Sequence, residues 1–365
     1  VNNYNLGPLM VDVAGYELSS EDKEILEHPA IGGVIIFARN YDNIDQIKSL
    51  NAQIKNLKNK NSKNGNQLLI AVDQEGGTVQ RIKEPLTVLP SMSELGKYYE
   101  YDSSAALLLT KQIGWLLASE LLTLGFDFSF TPVVDLNLCD NNIIKFRAFH
   151  KKSDIVADLA FALKQGLNQA GMAAVAKHFP GHGGVELDSH NLTPVDHRDY
   201  NDLDKYDLIP YKKLFVHNLE AIMTAHLLFS SIDRNIVTFS KFWLDEILRE
   251  KLGFHGLIIS DDLNMQGANF ITDEATGQRK ELNYEDRFIR AVDAGCELIL
   301  LCNNRTAVTN ILNNWSNYNW SPGKNYFQKL NIMRAKGNAD RTLKLLKTQP
   351  EWLDITDRLS RLAVV

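Results

Sequence analysis

The chain has 365 residues, 44 % of them apolar and 23 % charged, with a formal net charge of −6 at pH 7. This is the composition of an ordinary globular protein that can bury a large core without disulfide or metal staples. It carries no basic footprint for nucleic acid, and its three cysteines, Cys139, Cys296 and Cys302, have neither disulfide-framework nor CxxC spacing. The densest basic run, KNLKNKNSKNG at 55–65, is diluted by Asn and Gly and reads as a solvated helix end and loop. No signal-peptide pattern opens the sequence, and no uninterrupted apolar run reaches the ~18 residues of a membrane span. The expectation is a cytoplasmic protein without membrane or nucleic-acid partners.

Short apolar runs alternate with longer helical ones. The first strand candidate, GPLMVDV (7–13), carries Asp12 near its end, and the second, GVIIF (33–37), is followed by Arg39. LLIAVD (68–73) delivers Asp73 and runs into QEGGTVQR, whose paired glycines let backbone approach a ligand and let Arg81 return to the same mouth. AALLLTKQIGWLLASELLTLG (105–125) reads as a helix with Gly125 at its C-terminal end. The fourth strand candidate, FDFSFTPVVDL (126–136), has room for irregularity and carries Asp135. SDIVADLAFALKQGLNQAG (153–171) reads as a helix with Ser153 as N-cap and Gly171 just beyond its end. AAVAKHF (173–179), AIMTAHL (221–227), GLIISDD (256–262) and ELILLC (297–302) complete eight strands. Most are apolar on both faces, as strands between a barrel interior and an outer helix layer must be.

Eight strands alternating with helices predict an α/β fold, a (β/α)8 TIM-type barrel. Residues 1–365 are expected to form one domain, with about 305–365 as a helical C-terminal extension. A doubly wound sheet is the rival, but no Gly-rich fingerprint follows the first strand.

In a barrel, functional side chains gather at the C-terminal ends of strands, and polar groups there are costly to leave unpaired. Those ends carry Asp12, Arg39, Asp73, Asp135, Lys177 with His178, His226, and Asp261 with Asp262. Consecutive side chains on extended backbone point opposite ways, so one acid of Asp261–Asp262 should enter the mouth and the other cap the following helix. Spacing does not choose between them.

The richest stretch is KHFPGHGGVELDSH (177–190). His178 and His182 stand four apart, but Pro180 and Gly181 intervene, so a helical metal-ligand pair loses its scaffold. Asp188 and His190, two apart, can share one side of an extended loop. An Asp beside a His fixes its tautomer and raises its pKa from about 6.5, which suits a general acid near neutrality. A surface ion pair is the alternative.

These motifs, with HPAIGGVIIFARN, FTPVVDLN, MTAHL, SDDLNM and AGCELILLCNN, run in one order from about residue 7 to 304. Together they resemble the single-domain β-N-acetylglucosaminidases of glycoside hydrolase family 3 that act in bacterial peptidoglycan recycling. The resemblance implies Asp261 as the nucleophile of a retaining mechanism and His190 as general acid/base with Asp188 as its dyad partner. It implies Asp73, Arg81, Arg147, Lys177 and His178 as contacts to a terminal N-acetylglucosamine. It further implies an anhydro-muropeptide substrate. No cofactor and no metal are expected, and the chain is expected to be a monomer. One departure stands out: the family's Gly-Asp pair before the arginine is absent from IIKFRAFH (143–150), though Arg147 is kept.

The alternatives are a metal-dependent barrel hydrolase using His178, His182, Asp188 and Asp261, and a hexosaminidase that uses the substrate's own acetamido group. A family 3 β-glucosidase of other sugar specificity and a non-catalytic sugar-binding barrel complete the set.

Overall fold

Eight short strands form a closed ring in this computed structural model, which describes residues 6–57, 67–139, 144–185, 193–272, 279–336 and 342–362. The strands are β1 Leu9–Val11, β2 Ile31–Ile36, β3 Leu69–Val72, β4 Phe128–Ser129, β5 Val175–Phe179, β6 Ala221–Thr224, β7 Leu257–Ser260 and β8 Ile299–Leu301. All pair in parallel, β8–β1–β2–β3–β4 in one run and β5–β6–β7 in the other. Bridges Phe128↔Ala173 and Val133↔Lys177 join β4 to β5, and Ile259↔Leu298 joins β7 to β8. The (β/α)8 barrel is therefore complete, and every predicted strand lies where its apolar run stands.

The fourth strand is the irregular one. Pro132 has no N–H to give to the ladder, so β4 stops at Ser129 and pairing resumes at Val133. Continuity survives through carbonyls: Val175 N donates to Thr131 O at 2.8 Å and Lys177 N to Pro132 O at 3.1 Å.

The longer helices are α1 Ser20–Leu26, α2 Ile44–Asn56, α3 Met92–Tyr101, α4 Ser103–Thr123, α5 Ser153–Ala170, α6 Leu208–Val216, α7 Phe242–Lys251 (wound as a π-helix), α8 Tyr284–Ala294, α9 Arg305–Asn313, α10 Tyr326–Met333 and α11 Pro350–Leu362, with short helices at Tyr200–Lys205 and Leu343–Leu346. By length and composition α4 could cross a membrane, but most of it is buried inside the protein. It lies unusually close to α5: a Cβ on Gly166 would sit 1.9 Å from Lys111 O, and one on Gly114 2.3 Å from Leu163 O. Its capping residue is Asp102, which accepts from Ala105 N. For α5 the expected cap is shifted by one residue. Ser153 is already helical and Lys152, which has no acceptor to offer, occupies the cap. Gly171 ends α5 in the left-handed conformation, as expected.

The chain beyond β8 is helical and leans on the barrel. Tyr326 donates its hydroxyl to Gly7 O at 2.6 Å beneath β1, and Trp352 Nε1 donates to Glu120 on α4 at 2.9 Å.

Candidate active site

The mouth is built from residues just past the strand ends. After β3, Gln74–Gly76 and Val79–Gln80 form a tight antiparallel hairpin that sends the chain back on itself. Buried Gln74 fastens it, accepting from Arg81 N and Ile82 N and donating to Ile82 O. The hairpin returns Arg81 to the mouth, where its Nη2 lies 3.7 Å from Asp73 Oδ2.

Lys177 and His178 are neighbours on β5, so simple alternation would aim them apart. The register of β5 against β6 slips between Lys177 and Phe179, a bulge that re-aims a side chain. Lys177 Nζ reaches Asp73 Oδ1 at 2.9 Å and Glu75 Oε1 at 2.6 Å. Arg147 closes the lattice with two bonds of 2.9 Å to Glu75, from Nε to Oε2 and from Nη2 to Oε1. The atypical 144–149 segment thus still delivers Arg147 to the mouth. Burial alone would raise the Glu75 carboxyl, but the two cations outweigh it and hold Glu75 well below the ordinary carboxylate range. Lys177 is raised in return, its burial outweighed by Asp73 and Glu75. Glu75 is the chief residue that sequence reasoning missed. The available signal was its place two residues after Asp73, on the same face of an extended chain.

His178 turns to Asp135, donating Nδ1–H to Oδ2 at 2.7 Å. Asp135 also accepts from the backbone N–H of His178 at 3.1 Å and of His182 at 2.7 Å. Both histidines are anchored by one buried carboxylate on a strand-and-turn backbone, with no helix between them. Burial pushes the His182 imidazole down to about 4, which leaves it neutral at pH 7. Among the described residues no group of three His, Cys, Asp or Glu is placed to hold a metal ion.

At the end of β7, Asp261 Oδ1 accepts from Asp262 N at 2.8 Å. Burial opposes its charge, yet His178, His226, the Asp262 N–H and Lys177 together hold its carboxyl below the usual value. Asp262 behaves oppositely: burial, helped by Asp261 and Asp12, pushes its carboxyl up to about 7 against two backbone donors. Those donors, Asn264 N and Cys302 N, belong to a tight turn and to the end of β8. The expectation that the second acid caps a helix is corrected: no helix begins there, and the carboxylate ties a turn to a strand.

Asp188 and His190 lie outside the described residues. The flanks of their segment are close-fitted. A Cβ on Gly183 would fall 1.5 Å from Leu136 O, so only glycine fits. On the far side Arg198 pairs with Asp196 and Asp207, each at 2.7 Å.

The mouth of the barrel thus gathers acids, the three cations Arg81, Lys177 and Arg147, and the histidines His178 and His182, a set suited to a polar ligand. A family model, Glycosyl hydrolase family 3 N terminal domain, matches residues 6–319. The chain belongs to glycoside hydrolase family 3. This family 3 hydrolase is 40 % identical over 360 residues to the β-hexosaminidase of Nitrosospira multiformis, covering 99 % of its own length and 97 % of the relative's. Against the β-hexosaminidase of Psychromonas ingrahamii it is 44 % identical over 308 residues, covering 84 % and 86 %. The structure of NagZ from Neisseria gonorrhoeae in complex with N-trifluoroacetyl-D-glucosamine is similar at a TM-score of 0.87 and 37 % identity, covering 100 % of this chain and 99 % of that one. The family 3 hydrolase is thus a NagZ-like enzyme of the β-hexosaminidase kind.

Proposed function

We propose that this enzyme is a retaining exo-β-N-acetylglucosaminidase. It removes terminal N-acetylglucosamine from GlcNAc-β-1,4-1,6-anhydro-MurNAc and its peptides, in the cytoplasm, during peptidoglycan recycling. The whole chain acts as one catalytic unit, a monomer, with 305–365 as its helical extension. The observation that carries the reading is Asp261, a carboxylate kept charged at the mouth beside the Lys177–Asp73–Glu75–Arg147 lattice. The sugar bound by that Neisseria gonorrhoeae relative, an N-acylated glucosamine, supports the choice of substrate.

In this reading Asp73, the most exposed carboxylate of the lattice, and Arg81 take sugar hydroxyls. Lys177, Arg147 and His178 hold the ring, and buried Glu75 keeps the two cations in place. Asp261 attacks the anomeric carbon as the glycosidic bond breaks, and His190, oriented by Asp188, protonates the leaving oxygen. Water then attacks the glycosyl ester, gives its proton to His190 and releases the Asp261 carboxylate. Retaining enzymes ordinarily use a second carboxyl as acid/base; here the dyad takes its place.

The test is product analysis on purified anhydro-muropeptide, which should yield free N-acetylglucosamine with retained anomeric configuration. Loss of turnover on exhaustive chelation, restored by zinc, would sink this reading in favour of a metal-dependent hydrolase. A 2-fluoro sugar should label Asp261; a label elsewhere refutes the nucleophile.

A further inference from the structure

Asp262 is held from three directions. Its carboxylate Oδ1 accepts from Asn264 N at 3.0 Å and from Cys302 N at 2.9 Å. Its carbonyl accepts from Met265 N at 3.0 Å and faces His226 Nε2 at 3.0 Å. Its N–H donates to Asp261 Oδ1 at 2.8 Å. The turn after β7 is therefore stapled to both strands that flank β7: to the end of β6 through His226, and to the end of β8 through Cys302.

His226 is itself fixed. It is fully buried, and its Nδ1 lies 2.8 Å from Thr238 Oγ1. Thr238 in turn meets Thr224 Oγ1 at 2.8 Å. A carbonyl can only accept, so Nε2 carries a proton whatever the charge of the ring. The grip on Asp262 is accordingly a donor that persists when the imidazole is neutral, the state burial favours. Asp261 Oδ2, by contrast, accepts no hydrogen bond among the described residues.

We infer that Asp262 and His226 are positioning residues for Asp261, holding Oδ1 on the backbone and leaving Oδ2 as the oxygen that attacks the anomeric carbon. This inference rests on the reading of Asp261 as nucleophile. Oδ2 forms the new C–O bond while the bond to the leaving oxygen breaks and that oxygen takes the proton of His190. Oδ1 becomes the ester carbonyl and still faces the Asp262 N–H. When water attacks, Oδ2 departs with the electron pair and the carboxylate re-forms against the same donor. One tied oxygen and one open oxygen serve both steps, because the donor steadies the departing carboxylate without covering the attacking atom.

The experiment compares His226→Leu, His226→Gln, Asp262→Ala and Asp262→Asn in the full chain. It follows turnover of an aryl N-acetylglucosaminide and the rate of covalent trapping by a 2-fluoro sugar. A nucleophile displaced by about an ångström loses on the order of 10²-fold in rate. His226→Leu and Asp262→Ala should therefore lose about that much in kcat and trapping rate, with KM within about threefold. His226→Gln keeps a donor towards the carbonyl and Asp262→Asn keeps an acceptor for the two N–H groups. Both should stay within about tenfold of wild type. Labelling of the wild-type enzyme decides the nucleophile first: a label away from Asp261 defeats that reading, and the positioning inference falls with it, whereas a label on Asp261 leaves the variants to decide positioning by themselves. Undiminished trapping on Asp261 in His226→Leu and Asp262→Ala overturns the positioning inference. So does a loss that the conservative variants do not restore. If a disruptive variant does not fold, its conservative partner decides by its trapping rate.

Discussion

Carboxylates stand at both ends of this barrel, and the two ends use them differently. On the N-terminal face Asp127, Glu220 and Glu297 each precede an even-numbered strand. Each accepts from backbone in or at the start of the strand before it: Asp127 from Ile70 N, Glu220 from Ala174 N just ahead of β5, and Glu297 from Ile258 N. Each also meets a cation from the helix layer, Lys55, Lys164, or Arg249 with Lys329. These acids knit strand to strand and strand to helix. On the C-terminal face Asp262 likewise ties backbone and Asp135 accepts from two backbone N–H groups, but here acids also hold the side chains of the mouth. Glu75 grips Lys177 and Arg147, Asp135 grips His178, and Asp261 keeps one oxygen clear. The difference teaches that a charged residue at a strand end is structural when backbone and helix cations consume it, and chemical when it fixes other polar side chains around an opening.

Substitutions can break this contrast. The largest effect is expected at Asp261→Ala, which should lower kcat on the order of 10⁴-fold or more for every substrate, because the covalent route is gone. Steady-state kinetics on an aryl glycoside and on anhydro-muropeptide measure it, and near-normal kcat would remove Asp261 from the chemistry. Next comes His190→Ala. It should slow the natural sugar leaving group by about 10²- to 10⁴-fold, but activated aryl groups much less, since these need little protonation. Equal losses on both would reject the acid role.

Glu75→Gln probes the lattice. It leaves Lys177 and Arg147 facing each other without their shared anion, which should cost about 3–5 kcal/mol of stability and raise KM for the sugar. Because the folded-state carboxyl of Glu75 is depressed, its contribution is fully present above the ordinary carboxylate pKa and fades as pH falls below about 4. The melting temperature of the wild type should drop steeply from pH 5 to pH 3, and Glu75→Gln should flatten that slope. An unchanged slope would show that Glu75 is not held as the geometry implies.

Smallest for catalysis is Glu297→Gln on the opposite face. It should destabilise by about 1–3 kcal/mol, since the pair is partly exposed, while kcat/KM stays within about twofold. A catalytic loss matching that of Glu75→Gln would erase the distinction between the two faces.

Much of this was legible along the chain, for particular reasons. The eight strands announce themselves because each is buried on both faces and so reads as a continuous apolar run. Even the irregular fourth carries its own warning in Pro132. Arg81 could be expected back at Asp73 because paired glycines and an intervening polar stretch permit a hairpin. Arg147 was the hard case: its neighbours depart from the family pattern, and only its two bonds to Glu75 place it at the mouth. Glu75 itself went unassigned because a carboxylate in a glycine-rich turn looks solvated until its partners, 72 and 102 positions further along, are seen beside it.

The sequence by itself determined the barrel, the order of its strands and the inventory of polar groups at their C-terminal ends. Burial pattern and strand-end placement are local properties, written within a few residues of each other. Only the tertiary structure showed how differently the two neighbouring acids are held. Asp261 and Asp262 are adjacent and chemically identical, and nothing in SDD separates them. One is held charged by His178, His226 and Lys177, and the other is pushed up to about 7 by burial and tied to Asn264 and Cys302. Most of these partners come from other strands, so charge and orientation at this site are set by closure of the ring.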